Sequence, residues 1–156
     1  MFYTISSITP ICHVLHTDGK KIVLATGFFD LLHEEHTNFL KKAKEAGDIL
    51  VVAVESDARA RELKGEGRPI ETQSTRCQKL EPYADYIISL PRDFDHFEAY
   101  DSLMSAVRPE IYAVSSHTEH QKNKSFLAKK YGGRLVVVHE FNPDISTTLI
   151  IRSVKT

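Results

Sequence analysis

The sequence predicts an α/β protein in which a mainly parallel sheet carries helices on both faces. Two observations lead there. Short β-branched runs alternate along the chain with segments of helical spacing, a rhythm that implies crossover connections and parallel strands. The clearest run, Ile49–Val54 (ILVVAV), never alternates with polar residues, as expected of a strand buried on both sides. With 156 residues, 42% hydrophobic and 26% charged, a single domain over 1–156 can bury a core of its own.

Taken in order, the first strand is Lys21 to Thr26, an apolar run that enters Gly27. A helix over His33 to Ala46 follows, with Phe39, Leu40, Ala43 and Ala46 on one face and Gly47 as its C-terminal cap. After the second strand, Ser56-Asp57 can cap a short helix through Leu63. The stretch Lys64-Gly65-Glu66-Gly67-Arg68-Pro69, with two glycines and a proline, reads as a mobile basic loop. Helices near Ser74 to Glu81, Phe97 to Val107 and Lys122 to Tyr131 then lead to strands at Tyr86-Ile87-Ile88, Ile111 to Val114 and Leu135 to Val138. A last helix starts at about Thr147. Sheets of this kind bind ligands beyond the carboxyl ends of their strands, so the loops after Thr26, Val54, Val114 and Val138 are the ones to watch.

Composition narrows the function. Twenty basic residues against 21 acidic give a net charge of −1, which supplies no general field for nucleic acid or an anionic membrane, so any phosphate binding must be local. Cys12 and Cys77 fit no paired-cysteine spacing and read as reduced thiols in a cytoplasmic protein. Residues 1–16 are interrupted by Pro10 and lack a basic n-region, so secretion is not expected, and no apolar run approaches the roughly 20 residues of a membrane helix. Residues 1–18 could form a strand, an arm or a dimer contact, and a homodimer is left open.

The first loop carries the chemistry. Gly27 allows the backbone close to a ligand, and the helix that follows turns its free N–H groups and positive dipole end toward the same space. His33 and His36 stand three apart at its start, so both imidazoles can reach an anion and donate hydrogen bonds as charge builds on a phosphate. Asp30 is either a cap or a loop-shaping residue. Lys64 and Arg68 can clamp over a triphosphate, and Arg76 offers a planar fork suited to phosphate. At Ser146, Thr147 and Thr148, a helix start presents hydroxyls and N–H groups to a further phosphate.

Gly27 to His36 (GFFDLLHEEH) resembles the G-x-F-D-x-x-H-x-G-H signature of the cytidylyltransferase-like nucleotidyltransferases. Ala46 to Val52 resembles that family's entry to its second strand, Leu63 to Ile70 its basic loop, Arg76 its arginine, and Ser146 to Ile151 its S-T-T-x-I-I ending. The likeness spans roughly residues 20 to 152, taking 19–152 as the family core with 1–18 as an extension. It is strongest to the D-glycero-β-D-manno-heptose 1-phosphate adenylyltransferase branch, with glycerol-3-phosphate cytidylyltransferases next. It implies a Rossmann-like three-layer sandwich with a five-stranded sheet of order 3-2-1-4-5. It also implies transfer of a nucleotidyl group, adenylyl before cytidylyl, from a nucleoside triphosphate with Mg²⁺ to a phosphorylated sugar or alcohol. Pyrophosphate leaves by direct in-line attack. In this reading His33, His36, Lys64 and Arg76 are catalytic, and Thr26, Gly27, Phe28, Phe29, Asp30 and Ser146 to Thr148 bind nucleotide together with the two histidines.

Two departures qualify the expectation. Glu35 stands where the signature has glycine; it could face solvent, share Mg²⁺ with the phosphates, or mark a site that keeps the fold without catalysis. After the fourth strand, Ser115-Ser116-His117-Thr118-Glu119-His120 replaces a glycine- and aspartate-containing loop, so Ser115, Ser116 and His117 form a substrate loop of their own kind. His117 and His120 echo the first histidine pair, and with Glu35 they offer a transition-metal alternative to the expectation that the protein supplies no metal ligand. The rival functions are a cytidylyltransferase, an FAD synthetase-like enzyme, and a nucleotide- or metal-binding protein without turnover.

Overall fold

The computed structural model describes residues 2–94, 97–145 and 150–151. Within them a six-stranded, all-parallel sheet has the order β1-β4-β3-β2-β5-β6, made of β1 (Phe2–Tyr3), β2 (Ile22–Gly27), β3 (Ile49–Val54), β4 (Tyr86–Ser89), β5 (Ile111–Ser115) and β6 (Arg134–His139). The five strands read from sequence keep their expected order, β4-β3-β2-β5-β6. The sixth is a correction: β1 adds to the edge beside β4, pairing Phe2 with Ile87 and Tyr3 with Ile88.

The layers follow from the period-2 geometry of the strands. Ile22, Leu24, Val51 and Ala53 point into one core, packed by α1 (Ile5–Thr17), α5 (Phe97–Val107) and α6 (Gln121–Lys130). Val23, Ala25, Leu50, Val52 and Val54 point into the other, packed by α2 (Glu34–Glu45) and α4 (Gln73–Leu80). Both faces of the central strands are therefore dry, which is why β3 shows no polar alternation. Each Leu or Phe buried this way contributes roughly 1.5–3 kcal/mol.

Residues 2–17 form a strand and a helix rather than a free arm. Thr4 caps α1 by accepting from the Ser7 N–H at 3.1 Å, while Ser7 Oγ accepts from the Thr4 N–H at 2.8 Å. Pro10 lies inside this helix, at the loss of one backbone hydrogen bond, and the burial of Ile8 and Cys12 in the core offsets it. Gly47 also differs from expectation. The cap of α2 is Ala46, and a Cβ on Gly47 would lie 2.7 Å from Val23 Cγ2, so glycine is there for close packing. α3 (Asp57–Lys64) starts as expected, with Ser56 Oγ accepting from the Arg59 N–H. Ser146, Thr147 and Thr148 lie outside the described residues, and Ile150 and Ile151 are helical.

Candidate functional site

From the central strand β2 the chain steps to β3 on one side and, later, to β5 on the other, and the cleft opens where these directions part. It holds about 380 Å³ and is lined from the loop after β2 (Thr26 to Asp30, His33, Glu35, His36), the end of α3 (Lys64), the end of β5 and its loop (Ser115, His117, Thr118), Lys124 and Phe141. Three of the four watched loops thus meet there. The loop after β3 instead braces the floor, where Tyr100 donates to buried Glu55 at 2.7 Å.

The loop after β2 is tightly wound. Phe29 and Leu31 adopt left-handed backbone (φ 54° and 49°), a costly conformation that needs support from its surroundings. Asp30, 2% exposed, supplies part of it: its carboxylate accepts from the N–H groups of Ile70 (2.8 Å) and Glu71 (3.0 Å) and pairs with Arg68 (3.5 Å). Glu71 answers by accepting from the Leu31 N–H at 3.0 Å. The basic loop is thereby stitched to the glycine loop. Of the two sequence readings of Asp30, loop-shaping is the one the geometry displays.

Arg76 does not reach the cleft, which corrects the expectation of a phosphate fork. Its side chain is fully buried, with Nε donating to the Glu71 carbonyl, Nη1 to those of Phe28 and Glu55, and Nη2 to the Asp57 carboxylate at 2.7 Å. Every arm is committed to holding three loops together from beneath.

His33 and His36 do come together. Their rings stack with centroids 3.8 Å apart, and Phe29 meets His36 edge-on. Burial, then the neighbouring His33 and Lys64, drive the His36 pKa down to about 3; burial also lowers that of His33, against the pull of Glu35. Both shifts favour the neutral imidazoles, whose rings can stack without charge repulsion. The His33 N–H donates to His36 Nδ1 at 3.3 Å, so the His36 proton sits on Nε2. Both ring nitrogens of His33 are buried and make no hydrogen bond among the described residues. Lys64, though exposed as a residue, sets its ammonium 4.6 Å from the Phe28 ring centroid, where partial burial and then Arg68 lower its pKa.

The opposite wall belongs to the loop after β5. Ser115 Oγ bonds His117 Nδ1 (2.7 Å), the Ser115 N–H donates to Thr118 Oγ1, and the His117 ring stacks on Phe141 at 3.9 Å. Ser116 turns away from the cleft and locks two loops, its N–H donating to the His139 carbonyl and its Oγ accepting from the Phe141 N–H. Lys124 faces the cleft with a pKa lowered by burial. The structure separates the second histidine pair: His120 has a side chain 74% exposed and lies off the cleft. Among the described residues no three His, Cys, Asp or Glu side chains converge on one point. Glu35 is buried, not solvent-facing, and gives one oxygen to His139 Nε2 and the other to the Asn142 N–H.

Lys124, Phe141 and His139 were not among the residues singled out from the sequence. Phe141 and His139 follow Val138, a loop flagged by topology, whereas nothing in the spacing of Lys124 sets it apart from the other lysines of α6.

Known proteins resemble this chain in sequence and in fold. The sequence model of the family described as Cytidylyltransferase-like matches residues 24–153. The chain is 35% identical over 147 residues to a protein named bifunctional protein HldE from Desulfatibacillum aliphaticivorans, covering 90% of this chain and 28% of that one. It is 33% identical to the Helicobacter pylori (strain P12) protein of the same name, over 95% of this chain and 31% of the relative. The chain thus spans less than a third of the length of these curated relatives. Among solved structures it resembles the lipopolysaccharide core biosynthesis protein from Thermoplasma volcanium GSS1, with a TM-score of 0.61, 28% identity, and 80% of this chain and 98% of that one covered. The pantoate-beta-alanine ligase from Francisella tularensis, at 14% identity and a TM-score of 0.64 over 98% of this chain and 76% of its own, shares the fold. No described helix is long and apolar enough to cross a membrane.

Proposed function

The chain belongs to the cytidylyltransferase-like family, and from that premise we propose that it transfers a nucleotidyl group, adenylyl before cytidylyl, from a nucleoside triphosphate to a sugar phosphate with release of pyrophosphate. The observation that carries this reading is His33, with two buried ring nitrogens that lack partners, stacked on neutral His36 at the start of α2 and beside Lys64. The likeness to a lipopolysaccharide core biosynthesis protein from Thermoplasma volcanium GSS1 supports a sugar-linked acceptor.

An acceptor phosphate already carries nucleophilic oxygens, so no strong base is required. One of its oxygens attacks the α-phosphorus in line, the bond to the β-phosphate oxygen breaks, and pyrophosphate leaves with that electron pair. Neutral His33 and His36 donate N–H bonds to α-phosphate oxygens as charge grows there. Lys64 and the N-terminal dipole of α2 offset the charge of the leaving group. Lys124 and His117 would receive the acceptor from the opposite wall. Ser146 to Thr148 would meet the outer phosphates.

Mg²⁺ would come bound to the triphosphate and would neutralise its oxygens. The cleft carboxylates do not fit a protein-held ion, because Asp30 is spent on the Ile70 and Glu71 N–H groups and Glu35 on His139 and Asn142. Arg76 takes no part except as a brace under the loop.

The test is pyrophosphate release from each of the four nucleoside triphosphates with Mg²⁺, against a panel of sugar 1-phosphates and glycerol 3-phosphate. ATP with a sugar 1-phosphate is the expected pair. CTP with glycerol 3-phosphate would move the chain to the cytidylyltransferase reading, and tight ATP binding without pyrophosphate from any acceptor would favour a binding protein.

A further inference from the structure

Glu35 replaces a glycine in the signature of the first loop, yet its side chain has a complete set of partners. It lies on the first turn of α2, 8% exposed, and reaches the far strand β6. One carboxylate oxygen accepts from the backbone N–H of Asn142; the other faces His139 Nε2 at 3.1 Å. On its other side His139 Nδ1 lies 3.0 Å from Lys42 Nζ. An ammonium can only donate, so Nδ1 accepts, the His139 proton sits on Nε2, and that N–H donates to Glu35. The result is a chain running from the Lys42 ammonium through a neutral imidazole to the Glu35 carboxylate and on to the Asn142 amide. It supplies a countercharge for a carboxylate that would otherwise stand unbalanced beside a polyphosphate.

We propose that Glu35 is a positioning residue, which ties the turn after β6 to the start of α2 and so sets the Phe141–His117 wall of the cleft. The tie is at the right place. Phe141 sits between the two anchored residues, stacks on His117, and donates its N–H to Ser116 Oγ, while the His139 carbonyl accepts from the Ser116 N–H. The substitution is therefore a replacement of one means of building the wall by another, not damage. The catalytic side of this inference rests on the nucleotidyltransferase reading; the tie itself does not.

The test uses the full chain, in wild-type form and as Glu35→Gly, Glu35→Gln and His139→Leu, with amide exchange at Asn142 read by NMR and MgATP affinity by calorimetry. Glu35→Gly should speed Asn142 exchange by about tenfold and shift the His117 and Phe141 ring resonances, with MgATP affinity changed by less than about threefold and the central strands unchanged. Glu35→Gln keeps an oxygen for the Asn142 N–H and should hold both readouts within about threefold, but its amide should displace the His139 Nε2 proton in the ring nitrogen shifts. His139→Leu should speed Asn142 exchange by about threefold, and it decides the matter if Glu35→Gly does not fold. Unaltered Asn142 exchange in Glu35→Gly or His139→Leu, or a larger tightening of MgATP binding in Glu35→Gly, would overturn the proposal. Wild-type protein that binds no MgATP yet shows the exchange pattern would remove the nucleotide reading and leave the tie standing.

Discussion

The two walls of the cleft are built by different rules. The wall after β2 spends backbone strain at Phe29 and Leu31 and recovers it through long-range bonds from Asp30, Glu71 and buried Arg76, which join residues 40 or more positions apart. The wall after β5 combines short-range bonds among Ser115, His117 and Thr118 with the Ser116 bonds to His139 and Phe141 and one aromatic stack, and its residues 116 and 117 are exposed. Rigid, costly geometry belongs to a group that must meet developing charge at a fixed point. An exposed loop whose residues face the acceptor can change with it while the rest of the fold stays put. The first wall matches the family signature and the second departs from it.

Breaking the brace under the first wall should have the largest effect. Arg76→Met leaves three carbonyls and Asp57 without their donor and should cost about 3–5 kcal/mol of stability, read as a drop in the denaturant midpoint. Removing chemistry without the brace comes next. His33→Ala should lower kcat by about 10²–10³ while the stability stays near wild type, since the imidazole nitrogens bond nothing among the described residues.

Acid should loosen the same wall. The folded-state pKa of His36 lies below its unfolded value of 6.5, so the unfolded chain binds more protons in between. Its stabilising contribution is complete above about pH 6.5 and is lost as the pH falls toward 3. From pH 7 to 5 the loss should be about 2 kcal/mol, and His36→Asn should flatten the dependence in unfolding curves taken across that range. The second wall should respond least: His117→Ala should change MgATP affinity by less than about threefold, with its effect confined to the acceptor KM.

Much of this was legible in sequence, and the parts that were not share a cause. The apolar runs of β2 and β3 display their burial directly, and the resemblance of Gly27 to His36 to the family signature singles out the loop that lines the cleft. β1 is two residues long, too short for any period, and Pro10 argues locally against a helix that its Thr4–Ser7 cap and the core contacts of Ile8 and Cys12 stabilise. Arg76 shows the same limit on the site side. Its position fitted a phosphate ligand, but its burial and its four acceptors are set by loops brought together from residues 28, 55, 57 and 71. Glu35 looked like a lesion because its partners, His139 and Asn142, are more than 100 residues away.

The central claim is that the neutral histidine pair on the first wall is a triphosphate site. A calorimetric titration of MgATP and MgCTP into wild-type protein and His33→Ala at pH 7.5 tests it most directly. Saturable binding of one nucleotide, weakened at least about tenfold in the variant, is the predicted result. Binding of neither nucleotide to the wild type, or equal binding to both proteins, would contradict it.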